Sequence, residues 1–169
     1  MENIKQLYLI GMMGSGKSST GKALSLILGW EFIDIDCEIS NTHNLTINEL
    51  FSKGEQCFRE LEYAELKKHI SKENIIIAVG GGAVTYEESF KLLSSKNCIY
   101  LKTSTQVLAE RLEGDSSRPL LKENNKHQII EKIFNQREEL YLSLSSCEVN
   151  TDRNSLSDNC NKIVGLING

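Results

Sequence analysis

Short apolar runs alternate with segments of helical period along almost the whole chain. Runs of this kind fall at 7–10, 31–36, 75–79, 98–101 and 147–150, and a helical pattern follows each one. Behind the first, Ala23, Leu24, Ile27 and Leu28 recur at the interval that places them on one face of a helix over 17–28. Ile130, Ile133, Phe134, Leu140 and Tyr141 mark the buried stripe of a second good helix, over 126–141. Regular alternation of strand and helix predicts an α/β fold of three layers, α/β/α. Its centre is a five-stranded parallel sheet with helices on both faces, joined by right-handed crossovers. Ligands of such sheets lie at the carboxyl ends of the strands, so functional residues are expected just after each apolar run.

Local signals punctuate this pattern. Thr46 to Glu49 and Thr103 to Gln106 read as capping boxes that open helices. Gly29 stands where the first long helix needs a left-handed cap. A further helix is expected to open at Thr85, after the glycine triplet Gly80, Gly81 and Gly82. One region breaks the alternation. Residues from about 113 to 125 are polar, carry the chain's single proline and separate two helices, the layout of a mobile lid. There is no internal repeat and no low-complexity linker, so residues 1–169 are expected to form one domain, with a helical substrate-binding segment at about 37–70.

The strongest chemical signal lies between the first run and the first helix. Gly11-Met12-Met13-Gly14-Ser15-Gly16-Lys17-Ser18 satisfies every fixed position of the phosphate-binding loop pattern G-x-x-x-x-G-K-[ST]. Glycines let successive backbone N–H groups converge on phosphate oxygens, and the helix start adds its partial positive charge. Lys17 is then expected to reach the β- and γ-phosphates and Ser18 to ligate Mg²⁺. The chain is read as binding a nucleoside triphosphate.

Composition narrows the setting. Apolar residues make up 40% of the chain and charged residues 25%, with a net charge of −4. That balance argues against a broad surface for nucleic acid or for an acidic membrane. No stretch approaches the ~20 apolar residues that span a bilayer, and the first residues lack the layout of a signal peptide. The five cysteines, Cys37, Cys57, Cys98, Cys147 and Cys160, contain no C-x-x-C pair. Reduced thiols in a cytoplasmic protein are expected. His43, His69 and His127 stand apart from one another, so metal is expected to arrive with the nucleotide. Nothing in the pattern demands an obligate interface, and a monomer is expected.

Asp34 and Asp36 close the second run with Ile35 between them, a spacing that on a strand turns both carboxylates to one face. One can then hold Mg²⁺ through water while the other accepts a substrate proton; capping of the next helix is the structural alternative. The glycine triplet after the third run allows a close ligand approach or a simple tight turn. Arg137 falls inside the apolar stripe of its helix, where a guanidinium must meet an anion, either a ligand or an internal carboxylate. Arg59 reads on spacing alone as a surface arginine pairing with Glu55, Glu60 or Glu62. Arg118 precedes the proline in the expected lid and suits closure over a transferring phosphoryl group, with an exposed loop arginine as the alternative. Arg111 and Arg153 are weaker signals, one on a helix and one just after the last run.

Taken together these positions resemble the shikimate kinase family, small kinases of the nucleoside-monophosphate-kinase-like P-loop fold. The resemblance is carried by the loop at 11–18, the acid pair in 32–36 (FIDID), 54–62 (GEQCFRELE), 80–84 (GGGAV), 118–121 (RPLL) and 137–141 (REELY), in family order over nearly the whole chain. It implies transfer of phosphate from ATP to the 3-hydroxyl of shikimate, a step toward chorismate and the aromatic amino acids. By position it implies that Asp36 orients or deprotonates the hydroxyl, that Arg59 and Arg137 grip the substrate carboxylate, and that the Gly81 backbone contacts a substrate hydroxyl. It also implies ATP contacts by Gly14, Ser15, Gly16, Lys17, Ser18 and Ser19. Lys17 and Arg118 neutralise the moving phosphoryl, and Ser18 holds Mg²⁺ together with Asp34 acting through water. Arg111 and Arg153 fall where family members flank the adenine and ribose; the segment Asn154-Ser155-Leu156 lacks the proline common there. A kinase of gluconate or of a nucleoside monophosphate shares much of this pattern. A nucleotide-dependent switch fits less well, because Asn125-Lys126-His127-Gln128 lacks the acid of a guanine-reading segment. A silent binding module also fits poorly, since no expected catalytic position is missing.

Overall fold

Strands covered on both faces read as continuous apolar runs, and the central strands here are of that kind. The computed structural model describes residues 4–113 and 125–168. Among them, β1 (Gln6–Ile10), β2 (Glu31–Asp34), β3 (Ile75–Ala78), β4 (Cys98–Lys102) and β5 (Ser145–Asn150) form one sheet in the order β2-β3-β1-β4-β5. Every pairing is parallel. The helices between them are α1 (Lys17–Leu28), α2 (Ile35–His43), α3 (Ile47–Phe51), α4 (Glu55–Lys68), α5 (Glu87–Leu93), α6 (Thr105–Arg111), α7 (Lys126–Leu144) and α8 (Leu156–Asn168).

Alternation along each strand divides the core into two layers. Leu7, Leu9, Ile76, Ile99, Leu101 and Val149 face α1 and α8, where they meet Leu24 and Ile163. Tyr8, Ile10, Ile75, Ile77 and Tyr100 face the opposite side and pack with Phe58, Leu66, Leu93, Ile130 and Tyr141. The α/β/α layering expected from the run pattern is therefore present, with helices on both faces of the sheet.

The first helix lies tight on the second strand. A Cβ placed on Gly21 would fall 2.1 Å from Cε2 of Phe32. Alanine at an ordinary helix position would gain about 1 kcal/mol over glycine, but overpacking of this kind costs roughly 1–3 kcal/mol. Gly21→Ala is therefore expected to lower the thermal midpoint by several degrees, at about 2–4 °C per kcal/mol for a chain of this size. A melting curve unmoved or shifted upward would show that α1 has room to lift.

Several boundaries differ from those expected from the sequence. The second strand ends at Asp34, not Asp36, because the Asp34 side chain accepts from the Cys37 backbone N–H and caps α2. Asp36 thus sits in the first turn of a helix. The capping box at Thr46 and Glu49 is present in both directions, and Gly29 is left-handed with φ +67°. At the other proposed box the cap is Ser104, which accepts from Val107; Thr103 is instead buried against Thr151, their hydroxyls 2.6 Å apart. No helix opens at Thr85: a single 3₁₀ turn spans Ala83–Thr85, and α5 begins at Glu87. Most of the expected lid, including Arg118, lies outside the described residues.

Candidate active site

All candidate residues of the described chain follow the carboxyl ends of strands or stand on helices that lean over them. The loop from Gly11 to Ser18 leaves β1 and opens α1. Gly14 and Gly16 hold φ of +79° and +92°, backbone that other residues rarely adopt. Among the described residues no side chain caps the start of α1, which leaves its first N–H groups to an anion. Lys17 folds over the loop, donating from Nζ to the carbonyls of Gly11 at 2.9 Å and Met12 at 2.8 Å. Ser18 donates its hydroxyl to Asp34 across the mouth of the cleft. Gly14, Ser15, Gly16, Lys17, Ser18 and Ser19 all line that cleft, together with Asp34, Asp36 and Arg111.

A second, smaller cavity opens beside the loop. Met13, Asp36, Ile47, Phe51, Phe58, Arg59, Glu62, Gly81, Gly82 and Arg137 line it. Met13, Asp36, Ile47 and Gly81 line both cavities, so this smaller cavity and the cleft at the phosphate loop share a wall. Arg59 and Arg137 are 6% and 5% exposed, which removes both from the protein surface. Arg59 bonds Glu62 through Nη1 and Glu55 through Nη2, the latter at 2.9 Å, while its guanidinium lies over the rings of Phe51 and Phe58. Burial alone would pull its pKa down; the two carboxylates outweigh that and raise it, so Arg59 stays charged.

Glu62 is the deepest charge of the site, 1% exposed. Burial pushes its carboxyl well up and the nearby Asp36 adds to this, while Arg59 and Arg137 pull the other way. Its Oε1 is buried and has no hydrogen-bond partner among the described residues. The glycine triplet explains how such groups come so close. A Cβ on Gly80 would fall 1.9 Å from Glu62 Oε1 and 3.0 Å from Asp36 Oδ1, and one on Gly82 would fall 2.0 Å from Arg59 Nη2. Side chains there would eject the charges of α4 from the cavity. Gly81 lies between, packed on the phosphate loop, with a would-be Cβ 3.2 Å from the Met13 nitrogen. Its carbonyl accepts from the Tyr141 hydroxyl, which burial holds protonated by raising its pKa to about 12.

The family model described as shikimate kinase matches residues 13–168. A shikimate kinase of Persephonella marina is 36% identical over 166 residues, covering 97% of this chain and 99% of its own. This chain belongs to the shikimate kinase family. A solved shikimate kinase from Acinetobacter baumannii, in complex with shikimate, superposes with a TM-score of 0.94 at 33% identity, covering 98% of this chain and 94% of that one. Another from Aquifex aeolicus superposes at 0.82, also 33% identical, over 97% and 96%.

Within the shikimate kinase framework, Arg111 is held by three hydrogen bonds. Nη1 donates to Gly14 O at 3.3 Å and to Thr151 Oγ1 at 3.2 Å, and Nη2 donates to Thr151 O at 2.6 Å. Arg153 is exposed, in the segment after β5 whose Thr151 and Asn154 line the cleft. Arg59 departs from its spacing-based reading, since it is buried, although two of its three expected partners, Glu55 and Glu62, are the ones it takes. Sequence reasoning missed the burial of Glu62 and the Tyr141 hydroxyl bond to Gly81. The only available signal was the i+3 step from Arg59 to Glu62, which is indistinguishable from a surface ion pair.

Proposed function

We propose that this protein transfers the terminal phosphoryl group of ATP to the 3-hydroxyl of shikimate, giving shikimate 3-phosphate and ADP. One observation carries the reading beyond family membership: a carboxylate and two buried arginines converge on a small cavity that shares a wall with the nucleotide cleft. The acceptor oxygen attacks the γ-phosphorus in line, the bond to the bridging oxygen breaks, and that oxygen leaves on ADP. Asp36 orients the hydroxyl and takes its proton. Arg59 and Arg137 hold the substrate carboxylate, a pairing that suits the planar guanidinium fork. The Gly81 backbone meets a ring hydroxyl. Lys17 and the loop N–H groups from Gly14 to Ser19 hold the phosphates, and Arg118, which lies outside the described residues, adds positive charge to the moving phosphoryl group.

The Ser18 hydroxyl and Asp34 carboxylate, already in contact, are hard oxygen donors of the kind Mg²⁺ prefers alongside phosphate oxygens. Ser18 directly, and Asp34 through water, would hold an ion that enters with the nucleotide. When bound, the ion supplies positive charge against the phosphate oxygens. No helix among the described residues is long and apolar enough to cross a membrane. The free thiols fit the reducing cytoplasm.

A coupled assay for ADP tests this reading. ADP formation is expected to need both Mg²⁺ and shikimate, to stop on chelation, and to be negligible with gluconate or nucleoside monophosphates. Turnover of either of those with none of shikimate would overturn it.

A further inference from the structure

The charged side chains that line the smaller cavity balance: Arg59 and Arg137 stand against Asp36 and Glu62. On the reading that the two arginines take the substrate carboxylate, docking brings a third negative group against two positive ones. Glu55, half exposed, already holds the other edge of Arg59 and only deepens the excess. Unbalanced charge away from water is costly, and a carboxyl group relieves it by taking up a proton. The surroundings select the group that does so. Glu62 is 1% exposed, whereas Asp36 is only partly buried. Oε2 of Glu62 is held by Nη1 of Arg59, but Oε1 has no hydrogen-bond partner among the described residues, so a proton placed there breaks no bond. An acceptor for that proton lies close by. Oε1 and Asp36 Oδ1 both come within 3.0 Å of the point where Gly80 lacks its Cβ.

The groups that face Glu62 come from three helices: Asp36 from α2, Arg59 from its own α4, and Arg137 and Tyr141 from α7. Burial, opposed by both arginines and joined by Asp36, already pushes its carboxyl up to about 7. An anion seated on those arginines weakens their opposition and raises it further. We propose that the substrate carboxylate enters this cavity together with one proton from the solvent, and that Glu62 takes that proton and donates it from Oε1 toward Asp36. By linkage, the protonated chain then binds the acceptor more tightly. Affinity is level below about pH 7, where Glu62 already carries the proton, and falls as the pH rises above it.

Titration calorimetry of shikimate into the native chain, run in two buffers of different ionisation enthalpy, counts the protons taken up. At about pH 8 the count is expected to lie between roughly half and one per shikimate, and at about pH 6 near zero. Kd is expected to rise roughly tenfold between about pH 7 and about pH 8.5. Glu62→Gln sets an amide in place of the protonated carboxyl. In that variant the uptake should vanish and Kd should lose its pH dependence. Uptake unchanged in Glu62→Gln would put the proton elsewhere and overturn the proposal. Should the variant fail to fold, the native chain still decides, because shikimate that binds at about pH 8 with no proton taken up overturns it as well. The acceptor is judged separately. A chain that takes up a proton with gluconate and ignores shikimate keeps the role of Glu62 and loses the proposed substrate. Shikimate bound with its proton but giving no ADP loses only the reaction.

Discussion

Replacing Asp36 with asparagine is expected to lower kcat for shikimate by roughly a hundred- to ten-thousandfold, the range covered by positioned general bases. Asparagine keeps the size and can still hydrogen-bond the hydroxyl, but it cannot take the proton. KM is expected to change little, because the carboxylate grip of Arg59 and Arg137 is separate from Asp36. A fall in kcat of less than about tenfold would reduce Asp36 to an orienting group.

Arg59→Ala and Arg137→Ala are expected to raise the shikimate KM by roughly thirtyfold to several thousandfold. That range corresponds to the ~2–5 kcal/mol lost when one partner of a buried charge pair is truncated. The two variants should differ in a second respect. Arg59 also neutralises Glu62, which is 1% exposed. Removing it leaves a buried carboxylate with less compensation, and breaking a pair of that kind costs about 3–5 kcal/mol of stability. Arg59→Ala should therefore melt well below Arg137→Ala. Arg59→Lys should recover much of the stability and less of the affinity, since a point charge cannot reproduce the fork that spans Glu55 and Glu62. Unchanged KM in both alanine variants would remove the carboxylate from this cavity.

Much of this architecture was legible because parallel strands covered on both faces leave an apolar run that few other structures produce. The four residues Ile75–Ala78 are all buried, and the third run was correspondingly easy to place. The phosphate loop was equally legible, since its chemistry is local and its residues adjacent. The second strand was overextended for a local reason too. Asp36 looks like strand until one knows that Asp34 turns its side chain back to the Cys37 N–H. What could not be read were effects that depend on two distant segments at once. Whether Arg59 and Glu62 face water or a cavity is decided by the missing side chains of Gly82 and Gly80, which follow far along the chain on another element. Helical periodicity around Arg59 is mute on that point, and only the family resemblance pointed to a place in the site.

The strand order has a consequence for the shape of any ligand pair. Taken along one edge of the sheet, β2 leads to Asp34 and Asp36, β3 to the glycine triplet, β1 to the phosphate loop, and β4 and β5 to Arg111 and Thr151. On the proposed reading, acid, acceptor side, phosphate seat and the far end of the nucleotide follow one another in roughly the sequence of the reacting molecules laid end to end. With strands about 4.8 Å apart, the edge works as a ruler of roughly 19 Å. An inhibitor that joined adenosine to a cyclic acid would have to match that ruler, and one shortened by a single phosphate would leave one of its ends out of register.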